Sequence, residues 1–173
     1  MKPKQKVALI LSIFFIAALI IVAYGFYAES TAIYDFGEFS IKAPRNCEFE
    51  DVTYHYSSDP NMGSVYRCKN IDLTITSFNK QYVESSYRAN TGDSIDFSKE
   101  VLQDIISVSD PQINRISDTT TLFISNTRVN GQIDCDVAGV YEDDGHLIIV
   151  EGGDIEFIEN ITKSIEINDN YNK

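Results

Sequence analysis

Residues 7–28 are the longest uncharged stretch of the chain, 22 residues from Val7 to Ala28. At about 1.5 Å per residue, a helix of this length reaches about 33 Å, and the hydrocarbon core of a bilayer is about 30 Å thick. Twelve of its first sixteen residues are Val, Leu, Ile or Phe, which favour membrane insertion. The stretch therefore predicts one N-terminal transmembrane helix, and the rest of the chain is expected to fold on one side of a membrane.

The charges that flank this stretch predict its orientation. Residues 1–6 contain three lysines, whereas the first charges beyond the span are Glu29 and Asp35, and no base appears before Lys42. By the positive-inside rule, residues 1–6 form a cytoplasmic stub and the C-terminal domain is extracytoplasmic. The alternative is secretion after signal-peptide cleavage near Gly25. A retained signal anchor is favoured, because the apolar run exceeds the roughly 7 to 15 residues that are typical of a signal peptide.

One acidic domain is expected beyond the span. It contains all 26 acidic residues and 11 of the 14 basic ones, which gives a net charge of −15. Because this charge repels the phosphates of nucleic acids, nucleic-acid binding is not expected. About 145 residues suffice for a single core. We expect a tether at 29–35, a domain at 36–167 and a polar tail at 168–173.

The three cysteines, Cys47, Cys68 and Cys135, all lie in the exported part. An oxidising compartment allows one disulfide and leaves one thiol over, whereas without oxygen all three could stay reduced. Cys47 and Cys68 are nearest in sequence, but a hairpin register centred on the turn at 57–63 does not place them opposite each other. Which pair bonds, if any, stays open, and burial as small apolar side chains is an equal alternative.

Apolar periodicity predicts an α+β domain. In the first half, alternating residues predict three strands, and helical spacing then predicts two helices. In the last third, the turn signals Asn130-Gly131 and Asp144-Gly145 predict three hairpin-joined strands. Asp154 is expected to cap a final helix, followed by a short edge strand at 165–167. The expected strands are 36–43, 47–56, 64–78, 119–129, 132–141 and 146–150; the expected helices are 81–88, 97–107 and a last one that presents Ile155, Ile158, Ile161 and Ile165 on one face.

With FGEFSIKAP at 36–44 and VEGGDIEFIENITKSIEI at 150–167, this order of elements resembles the PsbP/Mog-like superfamily of small α/β/α domains. The resemblance implies an antiparallel sheet flanked by helices. Members of that superfamily serve as photosystem lumenal subunits, partners of a small GTPase or lipid-anchored envelope proteins. The resemblance therefore implies an accessory or binding role and no particular activity, and it carries over no site residues.

Carboxylates cluster at two places in the last third, on a predicted strand and in the turn that follows it. Carboxylate oxygens are ligands that calcium prefers. An EF-hand is excluded, because the twelfth position counted from Asp134 is Gly145 and not Glu. Alternation on a strand face is the other explanation of the first pair. The candidate calcium ligands are Asp134, Asp136, Glu142, Asp143 and Asp144.

Few residues are suited to catalysis. His55 and His146 are the only histidines, and the chain has no CxxC, HxH, HExxH or GxSxG motif. A transition-metal or hydrolase site would need a histidine as ligand or base. We therefore expect no catalytic residue and no cofactor other than calcium. Asn160 begins the only N-glycosylation sequon and is a candidate acceptor after export, or a chance occurrence within a helix.

Tyrosines are frequent in the first half of the domain. Aromatic enrichment is one mark of a binding surface, and ordinary sheet packing is the other explanation. The residues concerned are Tyr54, Tyr56, Tyr66, Tyr82 and Tyr87.

These observations predict a single-pass membrane protein that displays a noncatalytic binding or accessory domain outside the cytoplasm. Its expected contacts are the membrane lipid, through residues 7–28, and an unidentified envelope protein. A calcium- or small-ligand-binding domain is the alternative, and an envelope hydrolase is a distant third.

The predicted span has a direct test. The full-length protein should remain with the membranes after carbonate washing, because the free energy of inserting the apolar stretch is favourable by several kcal/mol, roughly 4 to 7. Recovery of a soluble form that starts near Phe26 would show signal-peptide cleavage and contradict the prediction.

Overall fold

A computed structural model of the chain describes residues 15–20, 30–56, 59, 61, 63–91, 112–129 and 132–168. Residues 15–20 are helical. Within these described ranges, no helix is long and apolar enough to cross a bilayer. The rest of the stretch 7–28 lies outside the described residues, so the transmembrane helix stays a prediction.

The part of the chain from residue 30 to residue 168 is an α+β fold dominated by antiparallel sheets, as the sequence predicted. Its strands are β1 (Thr31–Asp35), β2 (Phe39–Pro44), β3 (Phe49–Asp51), β4 (Gly63–Cys68), β5 (Thr74–Asn79), β6 (Gln112–Arg115), β7 (Thr120–Val129), β8 (Gln132–Glu142), β9 (His146–Gly152) and β10 (Glu166–Ile167). Its helices are α1 (Thr53–Tyr56), α2 (Lys80–Thr91) and α3 (Ile155–Lys163). The helix predicted over 97–107 lies outside the described residues.

Strand β9 lies at the centre of the larger sheet, whose order is β3-β4-β5-β9-β8-β7-β6. Residues 147–150 of this strand are apolar and have no exposed surface. A strand of this kind must be covered on both faces. The central position predicted for 146–150 is confirmed.

The two faces of β9 belong to two separate parts of the core. Ile148 and Val150 pack in the larger part, together with Ile158 and Ile161 of α3. Leu147 and Ile149 pack on the opposite face, and Val83 of α2 and Phe78 border that smaller part. Helices α2 and α3 therefore lie on opposite sides of the sheet.

The three hairpin-joined strands predicted in the last third are also confirmed. Strands β7 and β8 pair from Thr120–Tyr141 to Val129–Gln132, and this two-residue connection is the one expected from Asn130-Gly131. Strands β8 and β9 pair around the predicted Asp144-Gly145 turn. These hairpins depend on local turn chemistry, which explains why the sequence shows them clearly.

Helix α3 begins where it was predicted, because Asp154 Oδ1 accepts the backbone N–H of Phe157 at 2.7 Å. Its buried stripe is shorter than expected. Ile158, Ile161 and Ile165 are buried, but Ile155, at the first helical position, is 41% exposed. The helix was expected to include Ile165, but it ends at Lys163, and Ile165 follows it as a buried residue.

The tether expected at 29–35 is largely a strand. Residues 31–35 form β1, which pairs with β2 in a smaller sheet of order β1-β2-β10. The Tyr34 hydroxyl donates to the backbone oxygens of Pro44 (2.7 Å) and Cys47 (3.1 Å). These long-range bonds hold the segment in place and cannot be seen in its own sequence. The short edge strand predicted near 165–167 is present as β10.

The single strand predicted over 64–78 is two strands, β4 and β5. The connection at 69–73 is closed by a hydrogen bond from the Cys68 N–H to the Leu73 oxygen, 2.9 Å. The Asn70 side chain stabilises this turn, because its Oδ1 accepts the Glu48 N–H at 3.3 Å and its amide donates to the Asn46 oxygen. The alternation of apolar residues through the connection had concealed the turn.

Helix α3 lies directly against Gly139 of β8. A Cβ at this position would lie 2.9 Å from the Thr162 Cβ and closer still to its Oγ1. Thr162 is buried, and its hydroxyl donates to the Ile158 oxygen at 2.7 Å. Gly139 therefore allows the helix to pack directly on the strand.

We predict that Gly139→Ala lowers the free energy of unfolding by about 1 to 3 kcal/mol, because the added methyl group forces the helix and the sheet apart. Gly145→Ala is the matched control, since the nearest atom to its Cβ, the Asp143 Oδ1, is 3.9 Å away. Urea denaturation of both variants provides the measurement. Equal effects of the two substitutions would contradict the packing assigned to Gly139.

Candidate functional site

A helical turn replaces part of a predicted strand at the edge of the larger sheet. The sequence predicted an extended run over 47–56, but only Phe49–Asp51 are a strand, and α1 follows. Asp51 Oδ1 accepts the N–H of Thr53 at 2.9 Å and its hydroxyl at 2.6 Å. Such local side-chain bonds compete with strand pairing. The expectation of a continuous strand was therefore wrong for 53–56.

The same threonine fixes α1 to its neighbour β4. The Thr53 Oγ1 accepts the Val65 N–H at 2.9 Å, and the Val52 N–H donates to the Val65 oxygen, also at 2.9 Å. The hydrogen bond from the Thr53 hydroxyl lowers the pKa of the Asp51 carboxyl most, and the bond from the Thr53 backbone N–H lowers it further. Desolvation of the carboxyl opposes both effects. Asp51 thus accepts these bonds as a carboxylate at neutral pH.

Three consecutive aromatic side chains project from α1. Tyr54 is 75% exposed and Tyr56 is 64% exposed. The rings of Tyr54 and His55 are in contact, with centroids 3.8 Å apart and planes tilted by 39° to each other. Large exposed aromatic groups are typical of surfaces that bind other molecules. We call residues Tyr54, His55 and Tyr56 the aromatic turn.

An open groove of about 350 Å³ lies beside the aromatic turn. Gly63 is part of the lining and pairs with Phe78; a Cβ at Gly63 would collide with the Ser77 backbone oxygen, so glycine allows β4 and β5 to pair this closely. The groove lies mainly on the α2 side of the sheet, since Phe78 packs on the smaller part of the core. Its lining is Thr53, Tyr56, Gly63, Ser64, Val65, Thr74, Thr76, Ser77, Phe78 and Glu151.

The lining of this groove is suited to binding. Its polar groups are hydroxyls and one carboxylate, that of Glu151, and its apolar surface comes from Tyr56, Val65 and Phe78. Neither histidine nor cysteine is among the described residues that line it. A serine or threonine nucleophile needs a positioned base, and the lining provides none beyond this carboxylate. The arrangement fits an uncharged or positively charged ligand with hydrogen-bonding groups.

The second carboxylate cluster proposed from the sequence, residues 142–144, is a structural turn, which we call the acidic turn. Glu142 Oε1 lies 3.0 Å from the Lys80 Nζ, which also donates to the Asp143 backbone oxygen at 2.6 Å. Asp143 Oδ1 accepts the N–H groups of Gly145 (2.8 Å) and His146 (2.7 Å). These carboxylates are therefore used within the protein, and a cation here would meet the ammonium group of Lys80.

The structure describes the side chains of only three of the five candidate calcium ligands, Glu142, Asp143 and Asp144, so calcium binding stays a prediction. The register places Asp134 and Asp136 near the hairpin end of β8, and Asp136 is six residues, or about 20 Å, from Glu142 along this strand. Within the described part of the chain, no group of three or more His, Cys, Asp or Glu residues is arranged to hold a metal ion. The side chains of Asp134 and Asp136 lie outside what the structure describes.

The two histidines have different surroundings in the structure. His146 Nδ1 lies 3.0 Å from Asp143 Oδ1, so the ring belongs to the acidic turn. His55 is exposed in the aromatic turn. Among the described hydrogen bonds, neither ring is paired with a hydroxyl or a thiol that would act as a nucleophile. The expectation of no catalytic residue stays a prediction.

Cys47 and Cys68 form a disulfide, with Cα atoms 5.8 Å apart. They are not opposite each other in the ladder, because Cys68 pairs with Phe49. The bond crosses from the loop before β3 to the end of β4. The structure thus answers the question of pairing that the sequence left open, and the side chain of Cys135 lies outside the described residues.

The five tyrosines divide into two groups. Tyr66 packs against Phe36, with ring centroids 4.4 Å apart, so the packing explanation holds for it. The Tyr82 hydroxyl donates to the Asp59 carboxylate, and this bond raises the pKa of Tyr82 and lowers that of Asp59. Tyr87 is half-buried on α2. The binding-surface explanation remains for Tyr54 and Tyr56.

Asn160 lies on the exposed side of α3. The threonine of its sequon, Thr162, is buried against Gly139. In the folded domain the asparagine is therefore accessible and the threonine is not, and glycosylation of Asn160 stays a prediction.

Among solved structures, the chain is similar in fold to cyanobacterial PsbP (CyanoP) from Synechocystis sp. PCC 6803, with a TM-score of 0.45 and 12% identity over 80% of this chain and 93% of that one. A protein from Bacteroides thetaiotaomicron gives a TM-score of 0.43 and 10% identity over 83% of this chain, which spans 50% of that protein. The PsbP-like resemblance predicted from the order of elements is thus found, and it concerns the fold alone. No protein-family model and no curated protein matches the chain.

The acidic turn has a pH dependence whose sign follows from its bonds. Burial raises the pKa of Asp143, but the bonds from the backbone N–H groups of Gly145 and His146 and from the His146 ring outweigh it, so the pKa is lowered. A lowered pKa contributes stability above the unfolded value, near 3.9, and this contribution is lost as the pH falls through the folded value.

We predict that Asp143→Asn lowers the free energy of unfolding by about 1 kcal/mol at pH 7 and that the difference from the unchanged protein shrinks as the pH falls below the unfolded value, near 3.9. Denaturant titrations at several pH values measure this. Asp144→Asn is the control, because this substitution removes the same charge from the same turn at an exposed residue. A pH-independent loss in Asp143→Asn would contradict the assignment.

Proposed function

We propose that this chain is a single-pass membrane protein whose extracytoplasmic domain binds a partner in the cell envelope and catalyses no reaction itself. The observation that carries the proposal is the exposed aromatic turn beside an open groove.

Two features support the location. The described part of the predicted span, 15–20, is helical, and its large apolar side chains are exposed by more than half: Phe15, Ile16, Leu19 and Ile20. Exposed apolar side chains on a helix suit a lipid environment. The disulfide Cys47–Cys68 is the second feature, since such bonds persist mainly in oxidising compartments outside the cytoplasm.

Burial of Tyr54 and Tyr56 would supply the binding energy. Tyrosine is common at the energetic centres of interfaces, because it adds a large apolar area and loses little conformational entropy. Neither ring is needed to fill the core, since both are more than 60% exposed. The groove beside them adds hydroxyl groups that give direction to the contact.

The charge of the domain limits the chemistry of the partner. A net charge of −15 and a carboxylate in the groove disfavour phosphate-rich partners. They favour a protein segment that is neutral or basic and carries donors for the hydroxyls and for Glu151. We therefore expect a neutral or basic envelope protein.

Site-specific photocrosslinking in intact cells tests this proposal. A photoreactive phenylalanine analogue at Tyr56 should yield a discrete crosslinked product. The same analogue at Glu156, which is exposed on α3 at the other side of the sheet, is the matched control and should yield none. Crosslinks from Glu156 and none from Tyr56 would contradict a partner at the aromatic turn.

A second measurement separates binding from folding. In Tyr54→Ser/Tyr56→Ser, crosslinking from an analogue at Thr76 in the same groove should fall at least about tenfold, the loss expected for removing two interface anchors. The free energy of unfolding should change by less than about 0.5 kcal/mol per site, because both residues are exposed. A large loss of stability would assign the two tyrosines to folding.

A further inference from the structure

The folded domain begins almost immediately after the predicted span. That span ends at residue 28, and β1 starts at Thr31. Ser30, just before β1, is fixed by Arg45, whose N–H donates to the Ser30 oxygen at 2.8 Å and whose Nε donates to its hydroxyl at 3.1 Å. Two residues extend over at most about 7 Å. The loop that carries Arg45 must therefore lie close to the point where the span leaves the membrane.

A second loop is fastened to this one. Asn46 and Glu48 of the first loop are bonded to Asn70 of the second, and the Lys69 N–H donates to the Glu48 oxygen at 3.0 Å. The disulfide Cys47–Cys68 joins the same two segments covalently. We call residues 45–48 and 69–72 together the disulfide end. Because these bonds join its two loops, they approach the membrane as one body.

The charges of the disulfide end suit the polar surface of a bilayer. Arg45 and Lys69 are exposed on the two loops, and Arg67 is exposed on the adjoining strand. They are balanced by Glu48, Glu50 and Asp72, and Lys69 lies 3.2 Å from Glu50. The strong net negative charge is carried by the rest of the exported part, which anionic headgroups repel. Because its positive and negative side chains balance, the disulfide end can lie next to the phosphate and to the positively charged group of a lipid headgroup.

We propose that the disulfide end rests on the phosphate headgroups of the membrane that the N-terminal span enters. The contact leaves the aromatic turn on the side away from the lipid, because α1 lies beside Val65 and Gly63, about 10 Å or more along β4 from Cys68. The inference rests on the proposed membrane anchor. It deepens the proposed function, since it directs the binding surface toward partners outside the membrane.

Single tryptophans test this contact, because the chain contains none. Glu48→Trp places the probe at the disulfide end, and Glu38→Trp is the matched control, since it removes the same charge from an exposed site at the opposite end of β2. Full-length protein is inserted in vesicles of phosphatidylcholine and phosphatidylglycerol, some of whose choline headgroups carry a nitroxide. Quenching by the nitroxide reports contact with the headgroups.

The expected result is several-fold stronger quenching of the Glu48→Trp variant than of the Glu38→Trp variant. Equal quenching, or stronger quenching of the control, in protein that floats with the vesicles would overturn the inference and leave the anchor intact. Protein that does not float with the vesicles would instead contradict the proposed membrane anchor. Alkylation that finds the disulfide formed in both variants shows that the domain is folded.

The bases are tested by Arg67→Glu/Lys69→Glu in the Glu48→Trp background. Arg45 is kept, because it holds Ser30 in place. Quenching should fall several-fold in vesicles that contain phosphatidylglycerol and recover when phosphatidylcholine is the only lipid. Unchanged quenching in the anionic vesicles would overturn the role assigned to these bases.

Discussion

The complete burial of β9 is the constraint on which the rest of the structure depends. Four consecutive apolar residues, 147–150, have no exposed surface, so both faces of this strand need a cover and both of its edges need a neighbouring strand. Strands β5 and β8 supply the hydrogen bonds. Helix α3 covers one face, and its contact with Gly139 sets how closely it packs. The other elements extend this central unit outward.

The features assigned to function lie at the edge of that unit, where core packing places fewer constraints on the side chains. The bonds between Asp51 and Thr53 end β3 after three residues and turn the chain so that Tyr54 and Tyr56 project into solvent. The disulfide and the Asn70 side chain stabilise the opposite end of the same strands. One short edge of the sheet therefore carries both the surface proposed to bind a partner and the surface proposed to meet the membrane.

The parts of the fold that could be predicted from sequence are those with local causes. The hairpins at Asn130-Gly131 and Asp144-Gly145 and the cap at Asp154 each depend on residues close in the chain. The errors have distant causes. Strand β1, which was expected to be a tether, depends on Tyr34 bonds across 10 and 13 residues. The bond from Lys80 to the Asp143 backbone oxygen joins residues 63 apart and likewise cannot be seen in the sequence, and calcium binding at this turn stays a prediction. Exposure likewise cannot be seen in sequence, which is why Tyr66 and Tyr56 looked equivalent.

The central claim is that the folded domain is displayed outside the cytoplasm, and labelling of one introduced cysteine tests it most directly. The variant is Glu156→Cys in a Cys135→Ser background, since Glu156 is exposed and Cys47 and Cys68 are joined to each other. Cells whose cell wall and any outer membrane have been removed, but whose cytoplasmic membrane is intact, are treated with a membrane-impermeant maleimide before or after lysis. The account predicts equal labelling in both samples. Labelling only after lysis would place the domain in the cytoplasm and contradict it.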